Sequence, residues 1–205
     1  MSTAILAKRS VLVDRLGATS VWASALYVVA ATALIAGAAQ IQIPMWPVPI
    51  TGQTFAILVV GASLGLVRAV IASSLYLALA VAGLPVLAPT PKGGHITGLA
   101  ALTAPTTGYL FGFIMASIVL GWLAERQWDR KVLKAVVAFL LAEVIIYAVG
   151  VPWLATYLAQ AGAQTPVADA FTYGLTPFIV GDLIKAALAA AILPLSWKLV
   201  NRKQG

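Results

Sequence analysis

Six runs of apolar residues fill most of this chain, and the segments between them are too short to form a second layer of structure. They lie at about 21–41, 51–66, 67–83, 107–123, 132–158 and 176–200. A helix that crosses the hydrocarbon core of a bilayer needs about 20 apolar residues, so six crossings and their loops nearly exhaust 205 residues. Only 9% of side chains are charged and 61% are hydrophobic, against about 25% charged in an ordinary soluble domain. Such a chain cannot cover itself with polar groups, so its surface faces lipid. The expected fold is an all-α integral membrane protein with six transmembrane helices. It forms a single domain over 1–205, with an N-terminal segment 1–19 and a bundle over about 20–200.

The basic residues orient the bundle. With the N-terminus in the cytoplasm, cytoplasmic segments hold Lys8, Arg9, Arg15, Arg68, Arg126, Arg130, Lys131, Lys134, Lys198, Arg202 and Lys203. The opposite side holds only Lys92, and Lys185 lies within a span. This asymmetry follows the positive-inside rule and supports an even number of spans, so both termini are expected in the cytoplasm. The first 17 residues show no apolar run leading to a cleavage site, so no removed leader is expected and the first span directs insertion. Trp22, Trp122, Trp128 and Trp197 fall near the inner ends of spans, and Trp46 and Trp153 near the outer ends, as an interfacial belt would place them. The net charge of +7 is thus explained by the membrane and requires no nucleic acid.

The outer segments differ from the inner ones. Ile43-Pro44-Met45-Trp46-Pro47-Val48-Pro49-Ile50 carries three prolines and cannot be regular helix. Gly83-Leu84-Pro85-Val86-Leu87-Ala88-Pro89-Thr90-Pro91-Lys92-Gly93-Gly94 is equally broken. Apolar, non-helical backbone is tolerated at membrane depth where it lines a protein cavity, so these loops are expected to cap the outer end. Ala33/Gly37, Gly61/Gly65 and Gly108/Gly112 place small residues at helical spacing, for close helix packing or, on the first span, for docking a partner.

Three ionisable residues stand inside the spans. Glu143, Asp182 and Lys185 each cost about 2.5–3.5 kcal/mol at a helix centre on insertion scales, so each needs a purpose. Asp182 and Lys185 are three apart and share a helix face. They form either a self-satisfied ion pair or a polar anchor for a ligand. Glu143 is either a buried carboxyl bonded to a neighbouring helix or a ligand contact. Gln53 and Tyr109, at the outer starts of their spans, offer an amide and a hydroxyl. No cysteine is present and His95 is the single histidine, so a thiolate or multi-histidine metal site is excluded. No phosphate-binding loop, G-x-S-x-G or H-E-x-x-H motif occurs. A carrier is favoured over an enzyme; a membrane enzyme would have to work with Glu143 and Asp182.

Ile43-Pro44-Met45-Trp46-Pro47-Val48-Pro49-Ile50-Thr51-Gly52-Gln53-Thr54, Gly83-Leu84-Pro85-Val86 and Pro105-Thr106-Thr107-Gly108-Tyr109-Leu110-Phe111-Gly112-Phe113 resemble the BioY family. So do Gly150-Val151-Pro152-Trp153-Leu154-Ala155 and Pro177-Phe178-Ile179-Val180-Gly181-Asp182-Leu183-Ile184-Lys185. That family supplies the biotin-binding S component of energy-coupling factor transporters. The resemblance implies a six-helix S-component fold in the bacterial cytoplasmic membrane, with biotin held near the outer face. It implies ligand contacts at Gly52, Gln53, Tyr109, Asp182 and Lys185, and also at Glu143. Ala88 to His95 departs from the family pattern, and Thr107 stands where a glycine is usual; Thr90 and Lys92 are the candidate contacts there. The implied partners are a transmembrane coupling protein and two ATPase subunits, and a homo-oligomer is compatible. No cofactor or metal is implied. The alternatives are an S component or solitary carrier for another vitamin.

Overall fold

The computed structural model describes residues 10–18 and 20–202. The helices among them are α1 (Leu12–Arg15), α2 (Val21–Gln40), α3 (Gln53–Leu64), α4 (Leu66–Val81), α5 (Thr107–Ala124), α6 (Val132–Gln160), α7 (Pro166–Gly174) and α8 (Ile179–Arg202). Short 3-10 turns occur at Gly98–Leu102 and Trp128–Arg130. Strands β1 (Gln42–Ile43) and β2 (Ile50–Thr51) pair antiparallel, Gln42 with Thr51 and Ile43 with Ile50.

Four helices, α2, α5, α6 and α8, are long and apolar enough to cross a membrane. The second and third apolar runs come out shorter than expected. α3 has 12 residues and α4 has 16, which at 1.5 Å per residue gives about 18 and 24 Å, less than the roughly 30 Å of hydrocarbon. The missing length of the second run is the β-hairpin: prolines 44, 47 and 49 keep the chain non-helical until Gly52, and α3 starts late.

α3 is apolar on every side because it is buried on every side. Ten of its twelve residues are buried, and it packs against α1, α2, α4, α5 and α8. α2 is equally apolar but peripheral. Its buried residues, Val28, Ala31, Thr32, Ile35, Ala38 and Ala39, form one stripe at three- and four-residue spacing. Burial in lipid offers little hydrophobic gain between helices, so close packing must hold them together. Glycines permit it: a Cβ on Gly61 would lie 2.6 Å from Leu120 Cβ, and one on Gly112 would lie 2.9 Å from the Ile146 backbone. Gly65, with φ +78°, makes the turn between α3 and α4. Ala33 and Gly37 are exposed, with open space beside Gly37, so that pair is not used within the bundle.

Within segment 10–18, Val11, Leu12, Val13 and Ala18 are buried against the bundle. One expectation is corrected. Trp197 is not interfacial but 3% exposed, because its indole N–H donates to the buried carboxylate of Asp129 and its ring lies under Arg130. Lys8, Arg9 and Lys203 lie outside the described residues. The remaining basic residues of the orientation argument gather at one end, where α1, the α3–α4 turn, the α5–α6 connection and the end of α8 meet. The β-hairpin and the loop 83–106 occupy the other.

Candidate functional site

At the hairpin end the helices enclose a cavity of about 420 Å3, within the roughly 300–1,000 Å3 typical of small-molecule sites. Trp46, Tyr109, Leu110, Phe113, Ile146, Tyr147 and Phe178 give it apolar walls. Tyr147 meets Tyr109 edge-on at 6.2 Å and Phe178 at 6.4 Å. Tyr109 is fixed in place because two glycines make room for its ring. A Cβ on Gly150 would lie 2.5 Å from the ring, and one on Gly174 would lie 2.3 Å from the hydroxyl. That hydroxyl donates to Gly174 O at 2.8 Å.

The loop that roofs the cavity is held by side chains, because its prolines lack N–H groups with which to build a ladder. Gln40 Nε2 donates to Val86 O and Leu87 O, and Gln42 Nε2 to Pro89 O. His95 Nδ1 donates to Leu87 O at 2.7 Å. Thr90 turns the loop tip, its hydroxyl donating to Gly93 O. Tyr76 connects roof to floor by donating to Val86 O while accepting from Gln53 Nε2 at 2.8 Å.

The polar floor is built around α8. Lys185 Nζ donates to Thr51 O at 2.7 Å, Thr54 Oγ1 at 2.9 Å and Asp182 Oδ1 at 3.0 Å. Asp182 Oδ1 also accepts from Thr54 Oγ1, and Oδ2 accepts from the Tyr147 hydroxyl. Asp182 is buried and does not line the cavity; Lys185 does. The carboxylate is therefore the hub that fixes lysine, threonine and tyrosine in place. Gln53 Oε1 accepts from Thr51 Oγ1 at 3.1 Å, leaving one amide hydrogen and one lone pair for the cavity. This arrangement can recognise a mostly apolar molecule with a few hydrogen-bonding groups at one end.

The sequence profile of the BioY family matches residues 9–202. The chain is 37% identical to the biotin transporter BioY of Thermotoga maritima, over 78% of this chain and 88% of that one. It is 39% identical to the biotin transporter BioY of Rhizobium etli, over 71% and 76%. Among solved structures, a biotin S-component from an ECF-type ABC transporter superposes with a TM-score of 0.65 at 28% identity, covering 89% of this chain and 92% of that one. The chain belongs to the BioY family.

Within this BioY-family fold, the residues singled out from sequence divide into two groups. Gln53, Tyr109, Lys185, Thr90 and Lys92 line the cavity, Lys92 at its exposed rim. Gly52, Asp182 and Glu143 do not line it. Gly52 serves packing instead: its N–H donates to Ala38 O and Ile41 O, and a Cβ there would sit 3.0 Å from Ala38 O. Glu143 is buried on α6, and neither carboxylate oxygen has a hydrogen-bond partner among the described residues. Sequence reasoning missed Thr54, Tyr76 and Tyr147. Thr54 stood within the quoted Thr51-Gly52-Gln53-Thr54 segment. Tyr147 had a usable signal, a phenol inside an apolar run whose hydroxyl requires a partner.

Proposed function

We propose that this chain is the biotin-binding S component of an ECF-type transporter, a six-helix bundle with both termini cytoplasmic and the cavity opening outward. The observation that carries the reading is the aromatic-walled cavity with Lys185 fixed at its floor, in a chain of this family. Biotin has an apolar thioether ring, a ureido group with two N–H donors and one carbonyl, and a valerate carboxylate. The apolar ring suits the walls of Tyr109, Phe113 and Tyr147. Lys185, on giving up one of its three bonds to Thr51, Thr54 and Asp182, and the free valences of Gln53 suit the ureido group, and Lys92 at the rim suits the carboxylate. A site of matched polar partners rejects analogues that lack those groups far more strongly than it rejects changes in bulk.

Six crossings are supported by the one-sided partition of basic residues, with α3 and α4 crossing inside the bundle, where neighbouring protein replaces lipid along their ends. The chain has no phosphate-binding loop, so energised uptake draws on partners, a transmembrane coupling protein and two ATPase subunits. The whole assembly sits in the bacterial cytoplasmic membrane. Transport, not catalysis, is the activity of the named relatives.

One experiment tests ligand and orientation together. Radiolabelled biotin is titrated onto right-side-out and inside-out membrane vesicles containing the protein. Saturable binding to the right-side-out vesicles alone is the expected result. Binding only to inside-out vesicles would reverse the orientation, and binding to neither would remove biotin as the ligand.

A further inference from the structure

Glu143 is 6% exposed, and both of its carboxylate oxygens are buried without a hydrogen-bond partner among the described residues. It stands on α6 three and four residues before Ile146 and Tyr147, which line the cavity, so it lies one helical turn beneath the site. The groups around it are all engaged elsewhere. On α8, Asp182 and Lys185 lie within electrostatic reach but neutralise each other, and all three Lys185 hydrogens are taken. Tyr147, on α6 itself, donates to Asp182, and Tyr109 on α5 donates to Gly174 O. α3 carries no ionisable side chain. Asp169 on α7 is half-buried and accepts from Thr165, while Asp129 and Arg130 are packed against Trp197 at the far end.

An ionised carboxylate in such a place lacks both donor and counter-charge, a state that proteins avoid by neutralising the group. We propose that Glu143 is a proton-binding site of the carrier, and that its proton is thermodynamically coupled to the ligand in the cavity above. A ligand that fills the cavity expels water that would solvate the ionised form. An anionic ligand adds negative charge close by. Both effects favour the protonated form in the bound state, so by reciprocity loss of the proton weakens binding. Affinity accordingly falls as pH rises through the range in which Glu143 ionises in the empty protein. The limit is about tenfold per pH unit for one linked proton.

The test has two arms, of which only the titration rests on the biotin reading. Infrared spectroscopy of the purified ligand-free protein at neutral pH should show the C=O stretch of a buried protonated carboxyl. The band should vanish in Glu143→Gln and persist in Asp129→Asn. No such band in the wild type, or its survival in Glu143→Gln, overturns the proton site. Biotin titration from mildly acidic to alkaline buffer should give falling affinity for the wild type and a flat profile for Glu143→Gln, which keeps the group neutral. The same fall in both proteins overturns the coupling. Absence of biotin binding to the wild type at every pH overturns the coupling to biotin and the biotin reading with it; the infrared arm alone then decides whether Glu143 binds a proton.

Discussion

The two ends of this bundle use polar groups in opposite ways. At the basic end they bind one another. Asp14 meets Arg68 at 2.7 Å, and Arg68 also donates to Ala18 O and Ser24 Oγ. Arg130 donates to Ser10 O, Glu125 caps the N–H of Leu66, and Asp129 accepts from Trp197. A pocket at that end, beside Trp128 and Asp129, holds only about 10 Å3, against about 420 Å3 at the hairpin end, where Lys185, Gln53 and Lys92 all reach the cavity. The same helices therefore make a sealed end and a receptive end, and the contrast comes from what joins them. The sealed end has a one-glycine turn, a short connection and, packed onto it, the buried residues Val11, Leu12, Val13 and Ala18. The receptive end has two proline-rich loops that cannot collapse into helix. A carrier loaded from one side needs this asymmetry.

The strongest way to break the contrast is to force space into the sealed end. A Cβ on Gly121 would lie 2.5 Å from Leu66 Cα and N and 2.7 Å from Gly65 C. These are backbone atoms, and moving them disrupts the Leu66–Glu125 bond and the packing of Val11 beside Gly65. Overpacking ordinarily costs about 1–3 kcal/mol and more where the backbone must shift, so Gly121→Val should yield little folded protein in detergent. Gly181→Ala is the control. It lies on α8 with open space around it and ordinary φ, and should leave the melting temperature unchanged or slightly raised.

A smaller effect separates hub from contact at the receptive end. Asp182→Asn or Lys185→Met alone strands a buried partner, a loss of about 3–5 kcal/mol in soluble proteins. The double variant removes both charges and should regain thermal stability. If Lys185 meets the ligand, its affinity for biotin stays at least about tenfold weaker, since a hydrogen bond to a charged group contributes about 1.5–3 kcal/mol. Equal dissociation constants for folded double variant and wild type would reduce the pair to scaffolding.

The sealed end was the less legible of the two in sequence. The apolar runs give α2, α5, α6 and α8 to within a few residues, because length and hydropathy are local properties. They overestimate α3 and α4, whose ends depend on the hairpin and on Gly65. The network of Asp14, Arg68, Asp129, Arg130 and Trp197 joins positions more than 50 residues apart, and no periodicity announces it. At the receptive end, Gln53, Tyr109 and Lys185 were legible because polar groups are costly in an apolar span. Asp182 was legible for the same reason, but its role was not, as cost does not say whether a group faces a ligand or a neighbour. α7 was missed: Asp169 and Thr172 make Pro166–Gly174 too polar and too short to register as a span.

Asp129 gives the smallest and most specific test of the sealed end. It lies in the α5–α6 connection, outside the long helices, and is 3% exposed. Burial pushes its carboxyl up to about 6, against the opposing pull of the Trp197 N–H, a backbone N–H and the Arg130 charge. The folded protein thus holds this proton more tightly than the unfolded chain, where the carboxyl titrates near 3.8. The stability so gained is fully present below pH 3.8 and is lost as pH rises through about 6, with a ceiling of about 3 kcal/mol. Asn at this position resembles the protonated acid and keeps an oxygen to accept from Trp197, but it cannot ionise. Melting curves of Asp129→Asn and wild type should nearly coincide at about pH 4, then separate toward about pH 7 with the variant the more stable. Parallel curves across that range would mean that Asp129 ionises without strain where it stands, and that the end sealed by Trp197 and Arg130 admits enough water to solvate it.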